Sequence, residues 1–264
     1  MPPLSLKPAK TIAKCRRKNY AFKNVPKELL TEILARVGSS SLTDLVNAKV
    51  SCKEFLEAAS EDYVFEHVKM DSIPLFPWRD EHYGLSSFLA RCTESGNPEA
   101  LFRQGMMDYF FNWQNDSGLK FLERAASKGH PAATYVYGII LVRSVGHELR
   151  NKGVKLLTDL KRSTSSLGIT ECRKKAYSIL QPTWGRSYMI EIGPAESEVY
   201  WKKKKTCSDC KSKALRNPTQ TINRWIPDTD FQDDPCSCDS CLWDLEAIKF
   251  CMMQRTGRYT LTES

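Results

Sequence analysis

The chain has 264 residues, of which 41% are hydrophobic, and this is typical of a globular protein with one large domain or two to three small ones. Its formal net charge of +8 would favour nucleic-acid binding if the charge were spread over a folded surface. However, seven of the 39 basic residues lie within residues 1–23, where there is no acid, which leaves 32 basic against 31 acidic side chains. A large DNA-binding face is therefore not expected.

Residues 1–23 are predicted to form a basic disordered tail, although the run KCRRK at 14–18 is also compatible with a nuclear-import signal. No apolar run approaches the roughly 18 residues of a membrane span, and the first residues lack the apolar stretch of a secretory signal. We therefore expect a location in the nucleus, the cytoplasm or both, without a membrane partner. In that reducing setting, clustered cysteines indicate metal ligands rather than disulfides.

Residues 24–80 begin with the pattern of three short helices. Residues 25–34 read VPKELLTEIL, which places a proline at a helix start and an apolar stripe behind it, with Gly38 as the expected stop. A short helix follows, and then VSCKEF at 50–55, where Ser51 and Glu54 have capping-box spacing. Helices this short cannot build a core alone, so the segment is expected to bind a partner.

The order of these motifs resembles the F-box, a module that docks on a Skp-type adaptor and, through it, on a cullin ubiquitin ligase. Two positions depart from the common pattern, since Val25 replaces a leucine and Phe55 stands where many members have tryptophan. The alternative is an ordinary helical hairpin that buries the same leucines internally. The resemblance implies adaptor contact by Pro26, Leu29, Leu30, Ile33, Leu34, Leu45, Val50 and Phe55.

Residues 86–181 contain a repeated helix pair. Residues 97–107 match 130–140 at an offset of 33, and residues 118–122 match 153–157 at an offset of 35. The first helix of each unit has a glycine at the same point, Gly105 and Gly138, which allows close helix packing, and Gly129 is expected to stop the second helix. The pattern resembles Sel1-like tetratricopeptide repeats, which implies an α-solenoid.

The large aromatic side chains of this block are predicted to fill the core between stacked helices rather than to form a site. Two clear units are fewer than the three or so that usually stand alone, so residues 86–95 and 170–180 are expected to be capping helices. The aromatic residues concerned are Tyr109, Phe110, Phe121, Tyr135 and Tyr137.

Residues 182–264 are predicted to form a small zinc-binding α+β module. A strand is expected at 187–192, a lysine run follows at 202–205, and two C-x-x-C pairs then come 27 residues apart. Each pair is a tight knuckle, and the two can meet at one tetrahedral Zn²⁺. The predicted ligands are Cys207, Cys210, Cys238 and Cys241.

The second cysteine pair is expected at the start of a helix with Leu242, Leu245, Ile248 and Met252 on one face. The positive end of the helix dipole would favour the thiolate form. Two alternatives remain open: Cys236 could replace Cys238 as a ligand, and the cysteines could be reduced surface thiols. A Cys2His2 site is excluded within the module, because it has no histidine.

An F-box followed by short repeats and a cysteine-containing tail resembles a plant F-box family. Some relatives end in a MYND-type zinc finger, whose dense cysteine and histidine series is absent here. No catalytic triad order, phosphate-binding glycine loop or HExxH motif occurs, so we do not expect an enzyme.

The sequence thus predicts a mainly α protein that acts as a substrate receptor of a Skp-cullin-F-box ubiquitin ligase. The F-box would bind the adaptor, and the repeats or the C-terminal module would bind an unidentified target protein. Two alternatives remain: a zinc-containing nucleic-acid or chromatin adaptor that uses the basic tail and the lysine run, and a repeat scaffold with a degenerate F-box.

Overall fold

The computed structural model describes residues 25–73, 83–112, 114–144, 146–164, 166–180 and 238–259. Within these ranges the regular structure is helical and contains no strand, which confirms the prediction of a mainly α protein. None of the helices in this part of the chain is both long enough and apolar enough to span a membrane. The helices are α1 (Lys27–Ser40), α2 (Leu42–Lys49), α3 (Lys53–Ala58), α4 (Asp62–His67), α5 (Tyr83–Glu94), α6 (Pro98–Phe110), α7 (Asn115–Ser127), α8 (Pro131–Arg143), α9 (His147–Ser163), α10 (Ser166–Leu180) and α11 (Asp239–Tyr259).

The first four helices surround a small core of their own, in which α1 packs against α2, α3 and α4, so the expectation that these short helices cannot build a core is wrong. Gly38 lies inside α1 and not at its end, so the predicted helix stop is wrong. A Cβ atom at this position would lie 3.0 Å from Leu45 Cδ2, so the glycine makes room for α2. The buried members of this core are Leu30, Leu34, Ala35, Leu45, Ala58, Ala59, Val64 and Val68.

The capping box predicted at Ser51 is also absent. Helix α3 begins after Cys52, whose side chain makes no capping hydrogen bond. The Ser51 hydroxyl instead donates to the Ala48 carbonyl at 2.7 Å, at the end of α2. The side-chain cap in this region is Ser41, which accepts a hydrogen bond from the Asp44 N–H at 3.2 Å and begins α2.

The predicted repeat is confirmed as two helix hairpins, α6–α7 and α8–α9. Each hairpin begins in the same way, with a polar cap followed by proline at the first helical position. Asn97 Oδ1 accepts from the N–H groups of Glu99 and Ala100, both at 3.1 Å. At the equivalent place, His130 Nδ1 accepts from the Ala133 N–H at 3.0 Å.

The matched glycines of the first helices allow the close packing that the sequence predicts. A Cβ at Gly105 would lie 2.9 Å from Leu122 Cγ, and one at Gly138 would lie 2.6 Å from Leu157 Cγ. These distances are shorter than normal carbon contacts, so any larger residue would push the two helices of the hairpin apart.

The second helix of each hairpin also has a glycine where it crosses the first helix. The sequence analysis matched these two glycines but did not predict that they allow close packing. A Cβ at Gly118 would lie 2.4 Å from the Tyr109 backbone nitrogen. At the equivalent position, Gly153, it would lie 2.8 Å from the Gly138 carbonyl oxygen. Each hairpin therefore has reciprocal glycines at its crossing point, and the obstacle is backbone, which cannot move aside.

The core of the repeats contains the aromatic residues that the sequence assigned to it. Tyr109, Phe110, Tyr135 and Tyr137 are buried, and Phe121 is half-buried against them. Helix α5 packs against α4 and α6, and α10 packs against α8 and α9, so both predicted capping segments are helices that flank the block. Gly129, at φ +79°, follows α7 as the predicted stop.

The last helix, α11, belongs to this same core, because it packs against α8 and α9. Its Trp243 is fully buried and donates its indole N–H to Thr158 Oγ1 at 3.0 Å. The strand predicted at 187–192 lies outside the described residues, so the α+β character predicted for residues 182–264 has no support in this structure. What the structure describes of that region is a helix within the repeat core.

We predict that Gly118→Ala destabilises the protein by about 3 kcal/mol, because the new methyl group would lie 2.4 Å from the Tyr109 backbone nitrogen, which cannot move aside. Gly129→Ala is the matched control, since no atom lies within 4 Å of its Cβ position and the change adds only the strain of a positive φ, about 1 kcal/mol. Urea unfolding followed by circular dichroism measures both. Equal effects of the two substitutions would contradict the packing argument.

Candidate functional site

The outer face of α1 exposes two large apolar side chains. Leu29 and Ile33 are one helical turn apart and are 50% and 46% exposed. Leu30 and Leu34, on the other side of the helix, are buried in the core of α1–α4. The apolar stripe predicted for this helix is therefore divided between an internal core and a solvent-facing surface.

A second exposed apolar pair lies on α2 and the residue after it. Val46 and Val50, again one turn apart, are 50% and 80% exposed. Leu45, next to Val46 in the chain, is buried in the core of α1–α4. Since α1 and α2 pack against each other, the module exposes apolar side chains on two neighbouring helices. We call Leu29, Ile33, Val46 and Val50 the apolar face.

The eight residues predicted to contact the adaptor thus differ in position. Leu29, Ile33 and Val50 belong to the apolar face, whereas the internal core contains Leu30, Leu34 and Leu45. Phe55 is half-buried against that core, and exposed Pro26 precedes α1, where its carbonyl accepts from the Leu29 and Leu30 N–H groups.

Three further exposed apolar residues of this module were missed by the sequence reasoning. Val46 is one, and Leu56 and Tyr63, on α3 and α4, are both about half exposed. The spacing of Val46 and Val50 was a signal for the first, because two β-branched residues four apart on a short helix share one side. Leu56 and Tyr63 have no such pattern, and their exposure follows from how the helices pack.

Charged side chains lie on two different sides of α1. Arg36 pairs with Glu32 at 2.7 Å beside the exposed leucine and isoleucine. Lys27 lies one turn before buried Leu30, on the side of the helix that faces the core, and forms an ion pair with Glu61. The hydrogen bond and charge of Glu61 raise the pKa of Lys27. Exposed pairs of this kind add little stability.

The module is joined to the repeats through Asn97, whose buried side chain uses its whole hydrogen-bonding capacity. Its amide nitrogen donates to the carbonyls of Phe65 and Val68, at 3.0 and 2.9 Å, while its oxygen caps α6. Both carbonyls belong to the end of α4 and the residue that follows it. The last turn of the first module is thereby bound to the first turn of the repeats.

Arg103 makes a second connection at the same junction. Its guanidinium donates to the carbonyls of Met70 and Ile73, each at 3.0 Å, and pairs with Glu99 at 2.8 Å. The side chains of Met70 and Ile73 are buried with Cys92 of α5. A continuous interface therefore links α4, the following segment and the repeats.

Glu99 is the charged centre of the repeat block. It also accepts from His130 Nε2 at 2.8 Å and from Lys175 Nζ at 2.5 Å, so it connects α6, α8 and α10. Burial alone would raise the pKa of this carboxyl, but His130, Lys175 and Arg103 together hold the pKa well below its usual range. The carboxylate therefore stays ionised and keeps the three helices in register.

Helix α11 is bound to the repeats by a buried ion pair. Arg173 of α10 donates to both carboxylate oxygens of Glu246, at 2.7 and 2.5 Å, and the Tyr135 hydroxyl donates to one of them at 2.5 Å. Burial and the nearby Glu246 carboxylate raise the pKa of Tyr135 well above its ordinary value, so its hydroxyl remains a donor.

A second ion pair lies on the same helix. Arg150 of α9 donates to both oxygens of Asp244 at 2.5 Å and to the Ser240 hydroxyl at 3.1 Å. Both charged side chains are largely buried. The sequence predicted that Leu242, Leu245, Ile248 and Met252 share the packed side of α11. It did not predict that Asp244 and Glu246 are buried.

Two of the predicted zinc ligands lie at the start of α11. Cys238 and Cys241 are half-buried, and the Cys241 N–H donates to Cys238 Sγ at 3.5 Å. Cys207, Cys210 and the alternative ligand Cys236 lie outside the described residues. Within the described ranges, no group of three or more potential metal ligands comes together.

Comparison with known proteins identifies both parts of the chain. A family model described as plant tetratrico peptide repeats matches residues 70–181, so the match begins before the repeats predicted at 86–181 and includes Met70 and Ile73, which bind Arg103. The Arabidopsis thaliana protein named "Putative F-box protein At1g67623" is 33% identical over 80% of this chain and 71% of its own length. No solved structure matches.

Two other relatives from Arabidopsis thaliana carry the same designation. F-box protein At1g67340 is 24% identical over 64% of this chain, and the chain spans 45% of its length. F-box protein At2g35280 is 29% identical over 45% of this chain and 71% of its own length. The chain belongs to the plant F-box protein family, and residues 70–181 are its tetratricopeptide-like repeat region.

Proposed function

We propose that this protein is the substrate receptor of a Skp-cullin-F-box ubiquitin ligase in the nucleus or cytoplasm. The apolar face is the observation that carries the proposal. Leu29 and Ile33 remain about half exposed although the core beneath them is filled by other residues. Exposed apolar patches of this kind are typical of interaction surfaces. In this proposal the face binds a Skp-type adaptor, and the adaptor recruits the cullin.

The buried and exposed residues have different roles in this proposal. The core that holds α1 and α2 together contains Leu30, Leu34 and Leu45, and it fixes the position of the apolar face. The contact with the adaptor is made by Leu29, Ile33 and Val50. The repeats and the C-terminal region bind the target protein. The Asn97 and Arg103 junction supports this division, since it keeps the adaptor-binding and target-binding parts in one fixed relation.

We predict that the double variant Leu29→Ala, Ile33→Ala loses adaptor binding while its thermal unfolding remains unchanged. The two side chains together would lose about 3 kcal/mol of apolar contact, which corresponds to more than a hundredfold in the dissociation constant. Calorimetric titration with a purified Skp-type adaptor measures the affinity, and circular dichroism measures the stability.

Two control variants separate contact from folding. Leu149→Ala removes an equally exposed leucine from α9, 45% exposed and far along the chain from the apolar face, and should bind the adaptor like the natural protein. Leu30→Ala removes a core residue and should lower the unfolding free energy by about 2–5 kcal/mol. Unchanged adaptor affinity of the double variant would refute the proposed docking surface. Absence of adaptor binding by the natural protein would instead favour a repeat scaffold with a degenerate F-box.

We also propose a structural Zn²⁺ bound by Cys207, Cys210, Cys238 and Cys241. The bond from the Cys241 N–H to Cys238 Sγ supports it, because it holds the Cys238 sulfur at the first turn of α11, which also contains Cys241. The positive end of α11 would stabilise their thiolates.

If the proposed zinc site exists, the purified protein contains one equivalent of zinc, and Cys207→Ser removes it. Cys251→Ser, on the same helix as the second pair, should retain the metal. Elemental analysis of tag-free protein measures both, and a chelator titration adds the affinity. Zinc-free natural protein, or metal loss in the Cys251 variant alone, would contradict the proposed ligand set.

A further inference from the structure

Beyond Ile33, the exposed side of α1 becomes polar. Arg36 comes seven residues after Leu29 and three after Ile33, so the three side chains lie on one side of the helix. Ser40, seven residues after Ile33, continues the same side and is exposed. The Arg36 side chain is 79% exposed. A guanidinium group therefore lies directly beside the apolar face.

The ion pair of Arg36 uses only part of the hydrogen-bonding capacity of its guanidinium group. Nη2 donates to Glu32 Oε1 at 2.7 Å, and this is one of the five N–H bonds that such a group carries. The Glu32 side chain is itself about half exposed. An exposed pair of this kind adds little stability, so the fold of α1 does not require the arginine.

A partner that covers the apolar face also covers Arg36. A stable protein–protein interface buries about 800 Å² of each partner. Arg36 follows Ile33 by three residues, which is about 4.5 Å along the helix axis. An interface of that size centred on Leu29 and Ile33 therefore removes water from the guanidinium group, and a covered charge without acceptors opposes binding.

A carboxylate is the acceptor that best replaces this water. The planar guanidinium fork matches a carboxylate in two parallel hydrogen bonds, and such charged bonds are stronger than bonds to a neutral carbonyl. Glu32 is bound through a single nitrogen, which leaves the rest of the fork for an acceptor on the partner. Glu28, another exposed acid of α1, lies two turns before Arg36 and so repels such an acceptor only weakly.

We propose that the docking surface includes Arg36 and that the Skp-type adaptor presents a carboxylate to it. The inference rests on the proposed function, because that function assigns the apolar face to the adaptor. Leu29 and Ile33 supply contact area, which any apolar partner can fill. Arg36 makes the contact specific, because a partner with a basic or apolar side chain at this point is rejected.

The test compares full-length variants in calorimetric titrations with a purified Skp-type adaptor. Arg36→Gln keeps a polar side chain but removes the charge, and we expect it to weaken binding about tenfold. Arg36→Glu should weaken binding about a hundredfold, because two carboxylates then face each other. Raising the salt concentration should weaken binding of the natural protein more than that of Arg36→Gln. Circular dichroism should show unchanged thermal unfolding of both variants.

Two control variants separate direct contact from effects within α1. Glu32→Gln removes the internal partner of Arg36 and should leave adaptor binding at least as strong as in the natural protein, since the guanidinium group remains. Lys27→Gln removes a basic residue of α1 on the side that faces the core, where it pairs with Glu61, and should leave the affinity unchanged.

Charge reversal on the adaptor identifies the acceptor. Each surface aspartate and glutamate of the adaptor is changed to lysine in turn, and one of these variants should restore at least part of the affinity that Arg36→Glu loses. Natural affinity of Arg36→Gln would overturn the proposal. Equal losses in Arg36→Gln and Glu32→Gln would do the same, as would failure of every adaptor variant to restore binding. In each case the Leu29 and Ile33 variant still tests the apolar face, so the two proposals fail separately.

Discussion

The carboxamide of Asn97 is the interaction on which the arrangement of the two modules depends. One side chain caps α6 and at the same time binds the carbonyls at the end of α4. Because the group is buried, any movement between the modules would break hydrogen bonds that water cannot replace there. Arg103 reinforces this restraint from the next turn of α6. The apolar face therefore has a fixed orientation relative to the repeats.

In each repeat, one glycine on each helix defines how closely the two helices of the hairpin pack, because their backbones are in contact there. Reciprocal glycines at each crossing, Gly105 with Gly118 and Gly138 with Gly153, bring the helices to a separation that other residues would not permit. Helix α8 is then enclosed by α7, α9, α10 and α11, which explains why nearly every residue of its sequence is buried. The chain completes a core with two repeats by using α11 as an additional element.

The F-box module illustrates a division of apolar residues between stability and binding. A helix of fourteen residues, α1, uses Leu30 and Leu34 for its own core and leaves Leu29 and Ile33 in water. Exposing such side chains costs solubility and gains no stability, so their presence on a small module is explained by a partner that covers them.

The sequence alone determined the helical class, the module order and the repeat, because these depend on local periodicity, on proline and glycine positions and on self-similarity at a spacing of 33 residues. It also indicated the apolar stripe of α1. It could not assign Leu29 to the surface and Leu30 to the core, since that depends on where α2 and α4 lie. The role of Gly38 and the bonds of the Asn97 amide nitrogen to Phe65 and Val68 likewise became clear only from contacts between helices. The burial of Asp244 and Glu246 was decided by Arg150 and Arg173, which lie more than seventy residues away in the chain, beyond the reach of any local pattern.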